Sequence, residues 1–114
     1  MVQRTKLFAL RIIRLYVSLP KRTEAQVIGK QMLRSGTSVG AHVREGRRSR
    51  SDAEMISKLE VALQKRDETV YWLEILIEAN IVPAALLTDL LSESSEITAI
   101  LVTSVKTLKR RRTS

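Results

Sequence analysis

Apolar positions recur at helical spacing through four separate stretches of the chain. The last is the most regular: Leu87, Leu90, Ser94, Ile97, Leu101, Val105 and Leu108 step by three or four residues and share one face. A second stretch aligns Ile28, Met32, Ser35, Val39 and Val43, and a third aligns Ile56, Leu59, Leu63, Val70, Leu73 and Ile77 with a gap at Arg66. Mixed steps of three and four predict the seam of a left-handed helical bundle. In the first stretch, residues 7–19 are polar only at Arg11, Arg14 and Ser18, which fall on one narrow stripe.

Punctuation sets the boundaries. The first helix, over 3–18, stops before Pro20, because proline restricts the residue before it and cannot continue the hydrogen-bond ladder. Thr23-Glu-Ala-Gln26 reads as a capping box that opens a second helix over 24–48. Ser51-x-x-Glu54 opens a third, which ends near Asn80 in a left-handed cap. Pro83 suits the first turn of a fourth, expected to fray from Lys106 to Ser114. Strand signals are absent. Short connections predict an all-α, antiparallel up-down-up-down four-helix bundle, with one domain over 1–108 and a basic tail over 109–114.

Two helices are apolar over too wide an arc for an isolated bundle. These are the first, and the third at Val70-Tyr-Trp-Leu-Glu-Ile-Leu-Ile77, which has one charge in eight residues. Contacts between copies explain the excess, so a homo-oligomer is expected; the alternative is that these two helices are the most central. Gly36 and Gly40 lie four apart inside the second helix, beside Ser35, Thr37, Ser38 and Ala41. An interior glycine costs ~1 kcal/mol relative to alanine, a loss that close approach of a neighbouring helix would offset; the alternative is a kinked or broken helix.

Charge is distributed unevenly. The 114 residues carry +8, but residues 1–50 hold 12 Lys or Arg against Glu24 and Glu45, a net of +10. Residues 51–105 hold three against 10 acids, a net of −7, and 106–114 add five cations. Such a field favours anionic partners, although the basic and acidic halves could equally attract each other, within a subunit or between subunits. The longest uncharged run near the middle, 79–88, is ten residues long and contains Pro83, too short for the ~20 that span a bilayer. Arg11 and Arg14 interrupt what would be the apolar core of a signal peptide, so a cytoplasmic protein is expected.

Catalytic patterns are scarce. There is no cysteine, and His42 is the only histidine, so neither a zinc set nor a pair of Glu-x-x-His motifs can form. His42-x-x-Glu45 reads as a helix-stabilising or core-satisfying pair. No phosphate loop or nucleophile elbow appears. Glu60, Asp67, Glu68 and Glu74 read as a solvated helix face. No enzyme, cofactor or metal is expected.

Positive charge is better ordered. Lys30, Arg34, Arg44 and Arg48 follow helical spacing with Thr37 and Ala41 between them, and Arg47 and Arg50 extend the cluster. Arg11 and Arg14 are secondary candidates, the loop adds Lys21 and Arg22, and the 109–112 segment is auxiliary. Cations of this kind hold phosphates and bind nucleic acid with marked salt sensitivity and little sequence selectivity. Phe8, Tyr16, Tyr71 and Trp72 all sit in apolar runs and read as core or interface. Structured RNA or DNA recognised by shape is therefore expected, in preference to single strands read by stacking.

The segment Leu33-Arg-Ser-Gly-Thr-Ser-Val-Gly-Ala-His-Val-Arg-Glu-Gly46, followed by Arg47-Arg-Ser-Arg50, resembles the signature of the four-helix-bundle proteins encoded in intervening sequences of bacterial 23S rRNA genes. Lys58-Leu-Glu-Val-Ala-Leu63 and Glu68-Thr-Val-Tyr-Trp-Leu-Glu-Ile-Leu-Ile77 are similar to that family's aliphatic, Glu-rich third helix. The likeness runs from about Leu7 to Leu108, and His42 stands where the family usually has Asn. It implies Ser38, Gly40, His42, Glu45 and Gly46 as motif positions and a ring of five bundles. The chain is also similar to accessory proteins of diversity-generating retroelements, which share the pentameric bundle and bind RNA and a reverse transcriptase. The leading expectation is a non-enzymatic homopentamer that binds structured RNA. The alternative is an adaptor that recruits a protein such as a reverse transcriptase without touching nucleic acid, and a weaker reading lays the first helix on anionic lipid.

Overall fold

Three turns, each with its own chemistry, divide the chain into four helices. The computed structural model describes residues 1–113. The helices are α1 (Val2–Ser18), α2 (Thr23–Arg47), α3 (Asp52–Glu78) and α4 (Thr88–Thr113), with a short 3-10 turn at Ala84–Leu86 between the last two. No strand occurs among the described residues. The helices pack as a bundle measuring 52 × 21 × 20 Å.

At the first turn, Leu19 leaves the helix in extended conformation ahead of Pro20, as proline requires. The expected capping box at Thr23 does not form. Arg22 is the cap residue, without a side-chain bond, and Thr23 is already helical. Gln26 is occupied elsewhere: its amide donates to the Pro20 carbonyl at 2.8 Å and accepts from the Tyr16 hydroxyl at 3.1 Å, stitching the turn shut. At the second turn, Ser51 Oγ accepts from the Glu54 amide at 3.1 Å, as its pattern predicts.

The third turn begins at Asn80, whose φ of 58° is left-handed. Ile81 N–H donates to Leu76 O at 2.9 Å and Asn80 N–H to Ile77 O at 3.0 Å, which is the pairing of a Schellman cap. Buried Ile81 and Val82 then close that end of the bundle. Pro83 does not open α4. It precedes the 3-10 turn, its carbonyl accepts from Leu86 N–H at 3.1 Å, and α4 starts five residues later at Thr88.

All seven seam residues are buried, Leu87 just ahead of α4 and the other six within it. So are Met32, Ser35, Val39 and Val43 of α2, with Ile28 half-buried. In α3 the seam is displaced: Ile56, Leu59 and Leu73 are buried, but Ala62, Thr69 and Leu76 lie inward where Leu63, Val70 and Ile77 were expected, and those three are half-buried. The gap at Arg66 has a cause. Its Nε donates to Ser94 Oγ at 2.7 Å and to the Ser94 carbonyl at 3.2 Å, linking α3 to α4. Nearby, Thr69 Oγ1 donates to Lys65 O at 2.8 Å and is hydrogen-bonded with Ser35 Oγ at 3.0 Å. These polar contacts fix register across three helices within an otherwise apolar core.

The α1–α2 contact uses the small residues as expected. A Cβ at Gly36 would stand 2.9 Å from two carbons of Ile12, and one at Gly40 would stand 3.2 Å from Thr5 Oγ1. The glycines thus let α1 settle onto α2. The outward face of α1 stays bare, with Leu7, Leu10, Ile13 and Val17 exposed, Val17 at 67%. The apolar run of α3 is largely covered by its neighbours, and only Tyr71 stands out, 56% exposed. The basic segment 109–112 continues α4 as its last turns, and Ser114 lies outside the described residues.

Candidate functional site

Helix α2 carries one line of charge over most of its length. Lys30, Arg34, Arg44 and Arg48 are all exposed on its outward side, and Thr37 and Ala41 between them keep that side low. At 1.5 Å per residue the line from Lys30 to Arg48 runs about 27 Å. Near its end a cleft of about 570 Å³ opens between α1 and α2, lined by Met1, Val2, Gln3, Lys6, Arg44, Arg47 and Arg48. Arg50 lies exposed just past the helix end. Close packing at Gly40 brings Lys6 to this cleft, and a narrower apolar groove bordered by Gly40 and Ala41 continues from it between the two helices.

The decisive electrostatic feature is which cations already have a carboxylate. Arg4 Nε meets Glu93 at 2.6 Å, and its Nη2 reaches Glu96 at 3.2 Å. Lys58 meets Glu45 at 2.9 Å, Lys65 meets Glu68 at 3.4 Å, and Arg66 meets Asp67 at 3.1 Å. In the last turns of α4, Arg111 meets Asp52 at 2.8 Å and Lys109 meets Glu60 at 3.7 Å. Lys6, Lys30, Arg34, Arg44, Arg47, Arg48 and Arg50 have no such partner among the described residues. A guanidinium without a counter-charge is available to a ligand anion, whereas a paired one must first give up its partner. The auxiliary place expected for 109–112 therefore changes: Lys109 and Arg111 are engaged with α3.

Not every expected residue joins the line. Arg11 and Arg14 lie in a separate groove between α1 and α4, with Arg4, Leu7, Phe8 and Glu93. The Arg4 hydrogen bond holds the Glu93 carboxyl below the usual carboxylate range, so that groove sets one carboxylate among its three guanidinium groups. Nor do His42 and Glu45 meet as a pair. His42 Nδ1 lies 2.8 Å from the Ser38 carbonyl one turn back, which assigns the ring proton to Nδ1. Glu45 turns to Lys58, and that hydrogen bond lowers the carboxyl pKa while raising that of the ammonium. Of the motif positions, Ser38, Gly40, His42, Glu45 and Gly46 thus serve helix and turn geometry: Ser38 Oγ donates to Arg34 O at 2.7 Å, and Gly46 packs on Leu59.

Two features escaped the sequence reading. Lys6 joins the arginine cluster only because α1 docks on α2, a relation between residues nearly forty positions apart. Tyr71, expected in the core or an interface, projects into a groove of about 380 Å³ between α2 and α3, together with Trp72, Arg34, Gln31, Lys65 and Glu68. Among the described residues no helix is long and apolar enough to cross a membrane.

Comparison with known proteins agrees with this architecture. A family model described as "23S rRNA-intervening sequence protein" matches residues 1–103. A solved structure of a protein with unknown function from the S23 ribosomal protein family of Bacteroides thetaiotaomicron VPI-5482 superposes with a TM-score of 0.87. It is 38% identical, and the match covers 92% of this chain and 97% of that one. No curated protein sequence matches.

Proposed function

This chain belongs to the 23S rRNA-intervening sequence protein family, and we propose that it is a non-enzymatic, homo-oligomeric bundle that binds structured RNA through the unpaired cations of α2 and the adjoining cleft. One observation carries the reading: seven cations along α2, just past its end and in the adjoining cleft have no carboxylate partner among the described residues, nor do Arg11 and Arg14 of the separate α1–α4 groove, while all three cations of α3 and Lys109 and Arg111 of α4 do. Lys30, Arg34, Arg44, Arg47, Arg48 and Arg50 contact phosphates, and Lys6 joins them. A rigid 27 Å line of charge suits the regularly spaced phosphates of a helical nucleic acid better than a single small anion.

The bundle runs up-down-up-down, a reading supported by its cross-helix pairs. Glu45 near the end of α2 meets Lys58 near the start of α3, and Arg111 near the end of α4 meets Asp52 at the start of α3. Assembly, as a ring of five, uses the bare outward face of α1, where Leu7, Leu10, Ile13 and Val17 make an apolar stripe of the kind that isolated proteins seldom leave in water.

Filter binding of a duplex-containing RNA across a salt series tests the interface. Each phosphate contact removed flattens the log–log slope by ~0.7–0.9. An Arg47/Arg48/Arg50→Ala variant is expected to lose affinity and about two to three units of slope by the same relation. Unchanged slope and affinity would remove these residues from the interface. Failure of the wild-type chain to bind RNA at low salt, with an oligomer that dissociates at high salt, would favour an adaptor that meets proteins instead.

A further inference from the structure

The groove between α2 and α3 combines chemistry that phosphate binding does not explain. Tyr71 and Trp72 sit edge to face with ring centroids 4.9 Å apart and planes at 77°. Trp72 is half-buried against the core and braces the pair, whereas Tyr71 leaves more than half its surface in water. A tyrosine ring, with only two side-chain torsions, presents a π-face at a smaller loss of rotamer entropy than a long flexible side chain would suffer on binding. Beside it stands Arg34, which also belongs to the α2 line of unpaired cations and has no carboxylate partner among the described residues. Lys65 and Glu68 in the same groove hold each other at 3.4 Å, so they add little net field and leave the sign to Arg34. Gln31 contributes an exposed amide that can both donate and accept. The register beneath is fixed: the buried Thr69–Ser35 hydrogen bond, 3.0 Å long, joins the residues next to Glu68 and Arg34 in the chain.

We infer that this groove is a nucleotide subsite in which an unstacked base lies on Tyr71, its phosphate is held by Arg34, and its edge is met by Gln31. A space of about 380 Å³ falls within the range of small-ligand sites and admits one nucleotide. The ligand is an unpaired base in a loop, bulge or strand end of an RNA whose helical part lies along the α2 cations, since folded RNA offers its readable bases where pairing lapses. This rests on the RNA-binding reading above and narrows it: shape and phosphate hold the duplex, and stacking selects RNAs with an unpaired base in reach. The one shared residue, Arg34, belongs to both parts.

Two RNAs separate the subsite from the general interface: a blunt duplex, and the same duplex carrying an unpaired 3′ extension. Both are titrated against the full-length wild-type chain and against Tyr71→Ala, Tyr71→Phe and Arg47→Ala. Tyr71→Ala is expected to weaken the extended RNA roughly ten-fold, as loss of one stacked base does, and to leave the blunt duplex and the salt slope unchanged. Tyr71→Phe keeps the ring and should bind the extended RNA within about two-fold of wild type on that stacking argument. Arg47→Ala should weaken both RNAs alike. Trp72 is the only tryptophan, so quenching of its emission by the extended RNA, absent with the blunt one, reports occupancy independently. Three outcomes overturn the subsite: equal affinity of wild type and Tyr71→Ala for the extended RNA; equal losses on both RNAs; or a Tyr71→Ala loss that light scattering traces to a changed oligomer, which would make Tyr71 a contact between copies. In each of these the blunt duplex still binds. Failure of both RNAs to bind wild type would instead bring down the wider interface, and the subsite with it.

Discussion

Substituting Gly36 by alanine tests how closely α1 rests on α2. The added Cβ would stand 2.9 Å from both Cγ1 and Cγ2 of Ile12 and 3.3 Å from its Cβ. Ile12 is completely buried and β-branched, so it cannot rotate aside. Overpacking of this kind costs ~1–3 kcal/mol, and contact with two atoms next to a stiff branch point belongs in the upper half of that range. Alanine returns about 1 kcal/mol of helix propensity. The net expectation is a loss of about 1–2 kcal/mol. Gly46→Ala is the contrast: its Cβ would meet Leu59 and Lys58 at 3.4–3.7 Å, ordinary contact, so the change should be neutral or stabilising by up to ~1 kcal/mol. Urea unfolding followed by circular dichroism, at one fixed protein concentration so that assembly does not enter the comparison, measures both. An Ile12→Ala background removes both offending carbons, and there Gly36→Ala should no longer destabilise. A Gly36→Ala protein as stable as wild type, or one equally damaged in both backgrounds, would refute the close approach that brings Lys6 to the arginine cluster.

Thr69→Val keeps the shape of a buried side chain but removes its bonds to Ser35 Oγ and Lys65 O; a loss of ~1 kcal/mol in the same assay is expected, and none would mean the link does not set register. Glu93 has a folded-state pKa below its ordinary value of 4.5, so the native chain binds fewer protons there than the unfolded one. The stability that Glu93 contributes is therefore present above that value and lost as pH falls below it, and Glu93→Gln should flatten that acid limb of a thermal-melt series; an unchanged limb would show that Arg4 does not hold it. Leu10→Glu with Val17→Glu places charge on the bare stripe of α1, and light scattering should then report smaller assemblies than wild type with helicity unchanged. Assemblies of wild-type size would move the contact between copies elsewhere.

What the sequence discloses depends on how local the determining contacts are. The seam of α4 is legible in full because steps of three or four residues return a buried side chain, apolar at all but Ser94, to one face. Helix α3 misleads by one position: around Val70–Ile77 nearly every side chain is apolar, so the period has no phase, and small Ala62 and polar Thr69 occupy inward positions that a hydrophobic count passes over. Two similar capping patterns diverge: Ser51 caps α3, but α2 starts one residue early, with Gln26 N–H donating to Arg22 O and the Gln26 side chain engaged by Pro20 and Tyr16. The cations were all visible in the sequence, but their pairing was not. Arg111 and Asp52 are 59 positions apart, and only the docking of α4 on α3 decides that Arg111 is engaged while Arg47 and Arg48 are left bare.

The salt dependence of RNA affinity for the wild-type chain bears on that bare charge without any substitution. The contacts from Lys30, Arg34, Arg44, Arg47, Arg48 and Arg50 alone correspond to a log–log slope of about −4 to −5, which the seventh, from Lys6, steepens further. Affinity for a duplex-containing RNA should therefore fall roughly a thousand-fold between 50 and 200 mM salt. Affinity that is flat across that interval, or no binding at 50 mM salt, would show that these unpaired cations do not hold a nucleic acid.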